Sequence, residues 1–147
     1  MRRRTEAAVM VGLIAFDQAF KYFTAHQSVI LIPGILRIHY TENHGFSLGL
    51  FDQAYLPAIL VSALVLAAVW VLRARLGQDS PLRFPLLLIC SGAIGNLIDR
   101  IFLGYVRDMI DMLFIRFYVF NFADAYVTVG ALICAIMLLK PGRKEQG

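Results

Sequence analysis

Four long apolar segments constrain the fold of this chain more than any other feature. They run from about Glu6 to Phe23, from Ala54 to Leu72, from Phe84 to about Phe102 and from about Phe117 to Leu139. An α-helix rises about 1.5 Å per residue, so about 20 residues cross a hydrocarbon core of about 30 Å. The sequence therefore predicts four transmembrane helices.

Composition supports a membrane protein with a single domain. Of the 147 residues, 59% are hydrophobic and 16% are charged, whereas soluble domains are about 45–50% apolar and about 25% charged. The first apolar segment could resemble a secretory signal peptide, but it runs into Asp17 and Lys21 instead of a small-residue cleavage site. We therefore expect one integral membrane domain over residues 1–147 with an uncleaved first helix.

Basic residues predict the orientation of the helices. Nine of the 14 Lys and Arg residues fall on one side of the four segments, at the two termini and near the loop from Gly77 to Pro81. Cytoplasmic loops of membrane proteins carry an excess of Lys and Arg. The termini and this loop are therefore predicted to be cytoplasmic, and residues 24–53 and Leu103–Arg116 to lie outside. This distribution explains the net charge of +4 better than nucleic-acid binding does.

Most acidic residues are predicted to lie on the opposite, outer side. Seven of the ten do so: Asp17, Glu42, Asp52, Asp99, Asp108, Asp111 and Asp124. A charge inside a membrane segment costs about 2.5–3.5 kcal/mol on insertion scales and commonly marks a functional site inside the bundle. Snorkelling from helix ends is the alternative for any single residue, but the short Asp side chain snorkels poorly.

Helical spacing places several of these polar residues on common faces. Asp17 and Lys21 are four residues apart and can pair. Asn96, Asp99 and Arg100 share a face, as do Asn121 and Asp124. Small residues permit close helix approach in membrane bundles, and this polar stretch contains two, Gly92 and Gly95. The sequence therefore predicts a polar cluster among three helices.

The segment between the first two helices has a different pattern. From Ser28 to Phe51 it shows alternating stretches around a Pro33–Gly34 turn, which is typical of a small hairpin or sheet. The expected fold is an all-α membrane protein of four helices, with a small β-rich subdomain on the outer face between helices 1 and 2. Cys90 and Cys134 are expected to be packing residues.

Five motifs resemble one bacterial family, the lipoprotein signal peptidases or type II signal peptidases. They occur in the family's order and cover most of the chain: D-Q-A-F-K at 17–21, T-E-N-H-G-F-S-L-G at 41–49, S-G-A-I-G-N-L-I-D-R at 91–100, V-R-D-M-I-D at 106–111 and F-N-F-A-D at 120–124. Departures are modest, with Ser91 where the family often has Gly, and Met109 and Met112 where it often has aromatic residues.

The resemblance implies an aspartic endopeptidase of the bacterial inner membrane. Such an enzyme removes the signal peptide of a prolipoprotein, just before a cysteine that carries a diacylglyceryl group. Position by position, the resemblance makes Asp108 and Asp124 the catalytic pair. It implies lipid-modified prolipoproteins and membrane lipids as partners. We expect a monomer with no cofactor, no metal and no nucleic-acid partner.

The residues themselves support this assignment of the pair. Asp108 lies in the short outer connection before the fourth helix, and Asp124 lies in the outer turns of that helix, so the two can meet at the outer interface. Carboxylates that hydrolyse a peptide work as a pair sharing one proton, and a partly dry site raises carboxyl pKa values and favours that state. The alternative is that they are a loop acid and a helix-cap acid.

Other polar residues are expected to support the site. They would bind the substrate backbone, orient the aspartates or join the helices: Asn43, Gly45, Asn96, Asp99, Arg100 and Asn121. Arg100 is expected to be structural and to pair with Asp99, Asp17 or a lipid phosphate. Asp17 and Lys21 are expected to brace the first helix, and the outer hairpin to cradle the substrate near the cut.

Three other chemistries have weaker support. His26, His39 and His44 have no zinc-ligand spacing. A Ser-Lys peptidase would need a serine that meets Lys21, and neither Ser47 nor Ser91 lies in a G-x-S-x-G motif. A transporter or channel could also place polar groups inside a bundle. It would need them along the whole membrane depth, whereas the inner halves of the segments are predominantly apolar.

Overall fold

A computed structural model describes residues 3–45 and 55–139 of the chain. Some predicted features lie outside these residues. They are the last part of the outer segment up to Phe51, the start of the second helix at Ala54, the serine Ser47, and the basic residues near the termini, Arg2, Lys140, Arg143 and Lys144. The remaining predictions can be compared with the structure.

Four helices form the frame of the molecule. They are α1 (Arg3–Phe23), α2 (Tyr55–Arg75), α3 (Arg83–Leu103) and α4 (Phe122–Leu139). Helix α3 lies at the centre, because α1, α2 and α4 all pack against it. Its buried residues include Leu87 and Cys90, both with no exposed surface. The core of the protein therefore follows α3.

Three of the four helices are long and apolar enough to cross a membrane, judged by length and composition. They span Leu56–Arg75, Arg83–Leu103 and Phe122–Leu139. Helix α1 does not meet this standard, and it contains five charged residues in its 21. Among these, Glu6, Asp17 and Lys21 are buried in the bundle. A fourth span through α1 stays a prediction.

Two glycines of α3 allow close packing, as their spacing predicted. A side-chain carbon on Gly92 would collide with the carbonyl oxygen of Ala123 in α4, and would lie 2.8 Å from Cγ2 of Val127. On Gly95 it would lie 2.9 Å from Oδ2 of Asp17 in α1. The missing side chains therefore let α1 and α4 approach α3 closely, which brings their polar residues together.

Replacing Gly92 by alanine should destabilise the protein by about 1–3 kcal/mol, since the added methyl group meets a backbone carbonyl that cannot move alone. Thermal unfolding in detergent measures this loss. Gly12→Ala is the matched control, because nothing lies within 4 Å of its added carbon, and a helical Gly→Ala change should be neutral or stabilising. Equal melting temperatures for the two variants would contradict the close α3–α4 approach.

The β-rich subdomain is a three-stranded antiparallel sheet. Strands β1 (Ser28–Ile32) and β2 (Leu36–Asn43) form the predicted hairpin. Ile35 N–H donates to the carbonyl of Ile32 at 3.0 Å, and Gly34 has a φ of 72°, a left-handed conformation that favours glycine in a tight turn. This part of the prediction is confirmed.

The third strand corrects the prediction. Strand β3 (Val106–Met112) comes from the connection between α3 and α4 and pairs with β2. The subdomain is therefore not confined to the segment between helices 1 and 2. Val106 and Met109 of β3 are almost fully buried, and Arg37 of β2 bonds Asp111 of β3, with Nε 2.9 Å from Oδ2. Long-range burial and pairing stabilise a strand that local sequence did not indicate.

Helix α4 also begins later than predicted, at Phe122 instead of about Phe117. Phe120 N–H bonds the carbonyl of Ile110 beside β3 at 3.0 Å, so this part of the apolar run extends the sheet region. Phe117 and Tyr118 are largely exposed. The backbone turns into the helix only at Asn121.

Candidate active site

Asn121 connects two carboxylates at the junction of the sheet and the helices. Its Nδ2 donates to Oδ1 of Asp108 at 2.6 Å, and its backbone N–H donates to Oδ2 of Asp124 at 3.3 Å. Asp108 is 2% exposed, and Asp124 is half-buried. The structure thus brings together the two aspartates that the sequence singled out.

Local helix chemistry places Asp124. The side chain of Asn121 accepts a bond from the N–H of Asp124 at 2.9 Å, while the Asp124 carboxylate accepts one from the N–H of Asn121. This reciprocal pair has the geometry of a capping box at a helix N-terminus. The N-F-A-D stretch at 121–124 therefore starts α4 and fixes the Asp124 carboxylate beside Asn121.

The sheet places Asp108. Strand β3 pairs with β2, which opposes Asp108 with Thr41, and Asn43 at the end of β2 donates from Nδ2 to Oδ2 of Asp108 at 2.9 Å. Oδ1 of Asn43 in turn accepts from the N–H of Gly45 at 3.0 Å. Gly45 has a φ of 92°, where a glycine is favoured. Of the two supporting residues predicted in this segment, Asn43 therefore contacts the carboxylate and Gly45 holds the Asn43 side chain.

Burial changes the acidity of Asp108. Loss of solvent raises its pKa to about 6, and the nearby negative charge of Asp124 adds to the rise. The amides of Asn43 and Asn121 and the positive charge of Lys21 lower the pKa, but they do not cancel the effect of burial. A carboxyl group with this pKa can hold or release a proton near neutral pH.

Asn96 of α3 connects the carboxylates to a buried ammonium group. Its Nδ2 donates to Oδ1 of Asp124 at 2.7 Å. Its Oδ1 accepts from Nδ2 of Asn121 at 3.1 Å and from Nζ of Lys21 at 3.0 Å. Because Oδ1 accepts from two donors, the amide of Asn96 can take only one orientation, and its Nδ2 points at Asp124.

Lys21 of α1 is fully buried between two acids. Nζ lies 2.9 Å from Oδ2 of Asp17 and 3.3 Å from Oδ2 of Asp99. Oδ1 of Asp17 also accepts the backbone N–H of Ala123 in α4 at 2.9 Å. The predicted bracing role of Asp17 and Lys21 therefore has a structural basis, since the pair joins α1 to α3 and α4.

Arg107 is a member of this network that sequence reasoning missed. Its Nη2 donates to Oδ1 of Asp99 at 2.7 Å and to Oε1 of Gln18 at 2.8 Å, and its backbone N–H donates to Oδ2 of Asp99 at 3.0 Å. Both Gln18 and Arg107 stand inside motifs quoted above, next to a residue that was selected. Their position beside those residues was the available signal.

Arg100 pairs with neither of the two acids considered as its partners among the described residues, while its pairing with a lipid phosphate stays a prediction. Its Nη1 donates to Oγ of Ser62 in α2 at 3.2 Å, and within the described residues it makes no ion pair with Asp99 or Asp17. Arg107 takes that place at Asp99. Adjacent helix positions point about 100° apart, so Arg100 faces α2 while Asp99 faces β3.

The described residues form one polar cluster at this end of the bundle. Eight of its nine members connect α1, α3, β3 and the start of α4 through direct bonds to one another, and Asn43 attaches the cluster to β2. The polar cluster comprises Asp17, Lys21, Asn43, Asn96, Asp99, Arg107, Asp108, Asn121 and Asp124.

The other chemistries gain no support from the described residues. Among residues 3–45 and 55–139, no group of three His, Cys, Asp or Glu side chains could hold a metal ion. His26 packs its ring on Tyr40 at 4.7 Å. Oγ of Ser91 donates to the carbonyl of Leu87 one turn earlier at 2.9 Å, so this hydroxyl bonds within its own helix.

Comparison with known proteins identifies the family. The model of the signal peptidase (SPase) II family matches residues 9–140. The chain belongs to the signal peptidase II family. It is 36% identical over 146 residues to the lipoprotein signal peptidase of Streptococcus thermophilus strain CNRZ 1066, covering 95% of each chain. It is 35% identical over 147 residues to that of Streptococcus pneumoniae strain R6, covering 95% of this chain and 96% of the relative.

Solved structures agree with this assignment. A bacterial membrane enzyme determined by the in meso method at 2.3 Å superposes with a TM-score of 0.89 and 29% identity, covering 100% of this chain and 96% of the other. A second, at 1.9 Å, gives a TM-score of 0.87 at the same 29% identity, covering 95% and 96%. The signal peptidase II chain described here is thus a peptidase that removes signal peptides from prolipoproteins, and its apolar helices fit a multi-pass bacterial membrane protein.

Proposed function

We propose that this signal peptidase II is an aspartic endopeptidase that cleaves diacylglyceryl-modified prolipoproteins just before the lipidated cysteine, with Asp108 and Asp124 as its catalytic pair. The observation that carries the proposal is the sharing of Asn121 by these two carboxylates. Two neighbouring carboxyl groups that share one proton can hydrolyse a peptide bond without a metal.

In the proposed reaction the two aspartates have complementary roles. The ionised carboxylate takes a proton from water as the water oxygen attacks the scissile carbonyl carbon. The protonated partner donates a hydrogen bond to the carbonyl oxygen, which develops negative charge. Proton transfer to the amide nitrogen then breaks the C–N bond and releases the two products. Asn121 and Asn96 orient the carboxylates, and Asn43 and Gly45 line the approach from β2.

The remaining polar residues are proposed to position this pair. Asp17, Lys21 and Asp99 hold α1, α3 and α4 together beneath it. Arg100 anchors α3 to α2 through Ser62. We also propose that the enzyme is a monomer. We propose that the sheet cradles the substrate, because Asn43 at the end of β2 contacts Asp108 directly.

The charge distribution supports the orientation in the membrane. Basic residues are concentrated at the termini and the loop between α2 and α3, and the polar cluster lies at the other end of the bundle. Following the positive-inside rule, we propose that both termini are cytoplasmic and that the site faces outward from the bacterial inner membrane. Substrate would meet the carboxylates near the outer interface.

A precursor assay tests this function. The full-length protein in detergent is incubated with a prolipoprotein that carries diacylglyceryl-cysteine, and in parallel with the same precursor unmodified. Mass spectrometry should find the lipidated precursor cut just before its cysteine and the unmodified one intact. Equal cutting of both would contradict the lipid requirement. Solute flux in liposomes without any cutting would favour the transporter alternative.

The pH dependence of this activity should change in Asn43→Ala. The Asn43 amide stabilises the charged form of Asp108 and so lowers its pKa; without the amide the pKa rises. The catalytic pair must keep one proton, and with a higher pKa it keeps that proton to higher pH. The alkaline limb of the pH–rate profile should therefore move to higher pH. Glu42→Ala, a change in the same strand that leaves the Asn43 amide in place, is the control. An unmoved limb in Asn43→Ala would contradict the assigned role of the amide.

A further inference from the structure

The end of the bundle opposite the polar cluster contains a second, separate group of charges. Glu6 in the first turn of α1 is 6% exposed. Its Oε2 lies 2.9 Å from Nη2 of Arg73, in the last turn of α2, and 2.7 Å from Nη2 of Arg83, the first residue of α3. One carboxylate therefore joins the ends of three helices, and two guanidinium groups surround it.

The two arginines differ in how many of their guanidinium N–H groups are already hydrogen-bonded. Arg83 donates from Nε to Oε1 of Glu6 at 2.8 Å, and from Nη1 to the carbonyls of Arg73 and Leu76, both at 3.3 Å. Its donors are thus nearly all occupied. Arg73 donates from Nη2 to Oε2 of Glu6 and also contacts the thiol of Cys90, which leaves part of the five N–H groups of the guanidinium without a partner among the described residues. Arg73 can therefore bind a further acceptor.

A cavity of about 350 Å³ adjoins this group. It is lined by both arginines and Glu6, by the exposed Arg3, and on its other side by apolar or aromatic side chains that include Met10 and Trp70. Three guanidinium groups against one carboxylate give the lining a net charge of +2. In the part of the chain that the structure describes, Arg3 has no ion pair or side-chain hydrogen bond.

The cavity lies between two helices that do not pack together. The described residues of α1 and α2 each contact α3, and their backbones do not approach each other. Among the described residues, the bond between Glu6 and Arg73 connects their ends. The gap between α1 and α2 thus combines apolar side chains of both helices, such as Met10 and Trp70, with cationic groups.

We propose that this cavity binds the phosphate of an anionic phospholipid, with an acyl chain lying in the gap between α1 and α2. Arginine forms paired, charge-assisted bonds to phosphate oxygens, and basic pockets between membrane helices bind anionic head groups. A cavity of this volume accommodates a small head group. Trp70 stands at the boundary between the basic and apolar parts, where indole rings commonly lie in membranes.

A neighbouring cavity has a lining of different net charge, which makes it less suited to an anion. It has a volume of about 220 Å³ and shares Glu6 and Arg83 with the first, but it adds Asp79 and lacks Arg3 and Arg73. Two carboxylates against one guanidinium disfavour an anion there. The proposed site is therefore defined by Arg3 and Arg73, the cations found only in the larger cavity.

Arg3→Gln tests the site without disturbing the buried group, since Arg3 is exposed and lies outside the Glu6–Arg73–Arg83 contacts. Binding to the full-length protein in a neutral detergent is measured by native mass spectrometry, using phosphatidylglycerol and phosphatidylcholine with the same acyl chains. We expect the anionic lipid to bind at least about tenfold more tightly. Arg3→Gln should weaken its binding about fivefold, the effect of one cation near an anionic lipid.

Arg75→Gln is the matched control: it removes the same charge at the same end of the bundle, in the last turn of α2, and Arg75 does not line the cavity. Its lipid affinity should stay close to that of the unsubstituted protein. Equal losses in both variants would overturn the proposal in favour of diffuse attraction, and equal binding of the two lipids would overturn it outright. Displacement of phosphatidylglycerol by millimolar inorganic phosphate would show a free-anion site instead of a lipid site. Precursor cleavage is a separate measurement, so neither proposal depends on the other.

Discussion

Replacing Asp108 by asparagine should lower the rate of cleavage of a lipid-modified precursor by at least about a thousandfold, within the range lost when an acid–base group is removed. Asparagine keeps the size of the side chain and can still accept the bond from Asn121. It cannot exchange a proton with water or with the scissile carbonyl. The loss should therefore appear in kcat, while substrate affinity changes little.

Asp124→Asn should cause a loss of similar size, because the two carboxyl groups work as one unit. Replacing either of them leaves the other with no partner to share a proton. The double variant Asp108→Asn/Asp124→Asn should be no slower than the single variants. Multiplied losses in the double variant would indicate two independent roles, and would contradict a shared-proton pair.

Asp111→Asn provides the matched control for both variants. It lies three residues after Asp108 on the same strand, has the same charge, and bonds Arg37 across the sheet instead of the polar cluster. Its rate should stay within a few-fold of the unsubstituted enzyme, while melting temperature in detergent reports on folding in each variant. Retained cleavage in a folded Asp108→Asn or Asp124→Asn protein would remove that residue from the catalytic pair.

Much of this architecture could be predicted because its signals are local. Runs of about 20 apolar residues indicate helices directly, and the Pro33–Gly34 turn between two short alternating stretches indicates a hairpin. The spacing of Asp17 and Lys21 placed them on one helix face, and the structure pairs them at 2.9 Å. Each of these features depends on residues that are close in sequence.

The features that were missed depend on distant partners. Strand β3 exists because Val106 and Met109 become buried and its backbone pairs with β2, a strand that lies far from it in the chain. The choice of Arg107 over Arg100 at Asp99 has the same origin. Helical periodicity gives the direction of Arg100, but the position of Arg107 depends on where the chain goes after α3 ends at Leu103.

The network beneath the carboxylates has balanced charge. Asp17 and Asp99 carry two negative charges, and Lys21 and Arg107 carry two positive charges, in contact at 2.7–3.3 Å. Three of these four side chains have 0% exposure and Arg107 has 15%. Charges removed from water are tolerated when they are paired, so the network depends on the presence of all four.

Replacing Lys21 by methionine should therefore destabilise the protein strongly, by about 3–5 kcal/mol, since it leaves an uncompensated negative charge in the bundle. It should also lower the cleavage rate, because the Nζ of Lys21 holds the Asn96 amide that bonds Asp124. Thermal or denaturant unfolding in detergent measures the first effect, and the precursor assay measures the second.

A second substitution separates lost charge balance from lost packing. Asp17→Asn combined with Lys21→Met restores equal numbers of charges, and the asparagine can still accept the N–H of Ala123 that Asp17 accepts at 2.9 Å. If the buried charge is the cause, the double variant should be more stable than Lys21→Met alone, a coupling that a double-mutant cycle measures. Additive losses would instead mean that Lys21 acts mainly by filling space. Because Asn96 loses its ammonium partner in both variants, recovery of stability without recovery of activity would identify Lys21 as a positioning residue for Asp124.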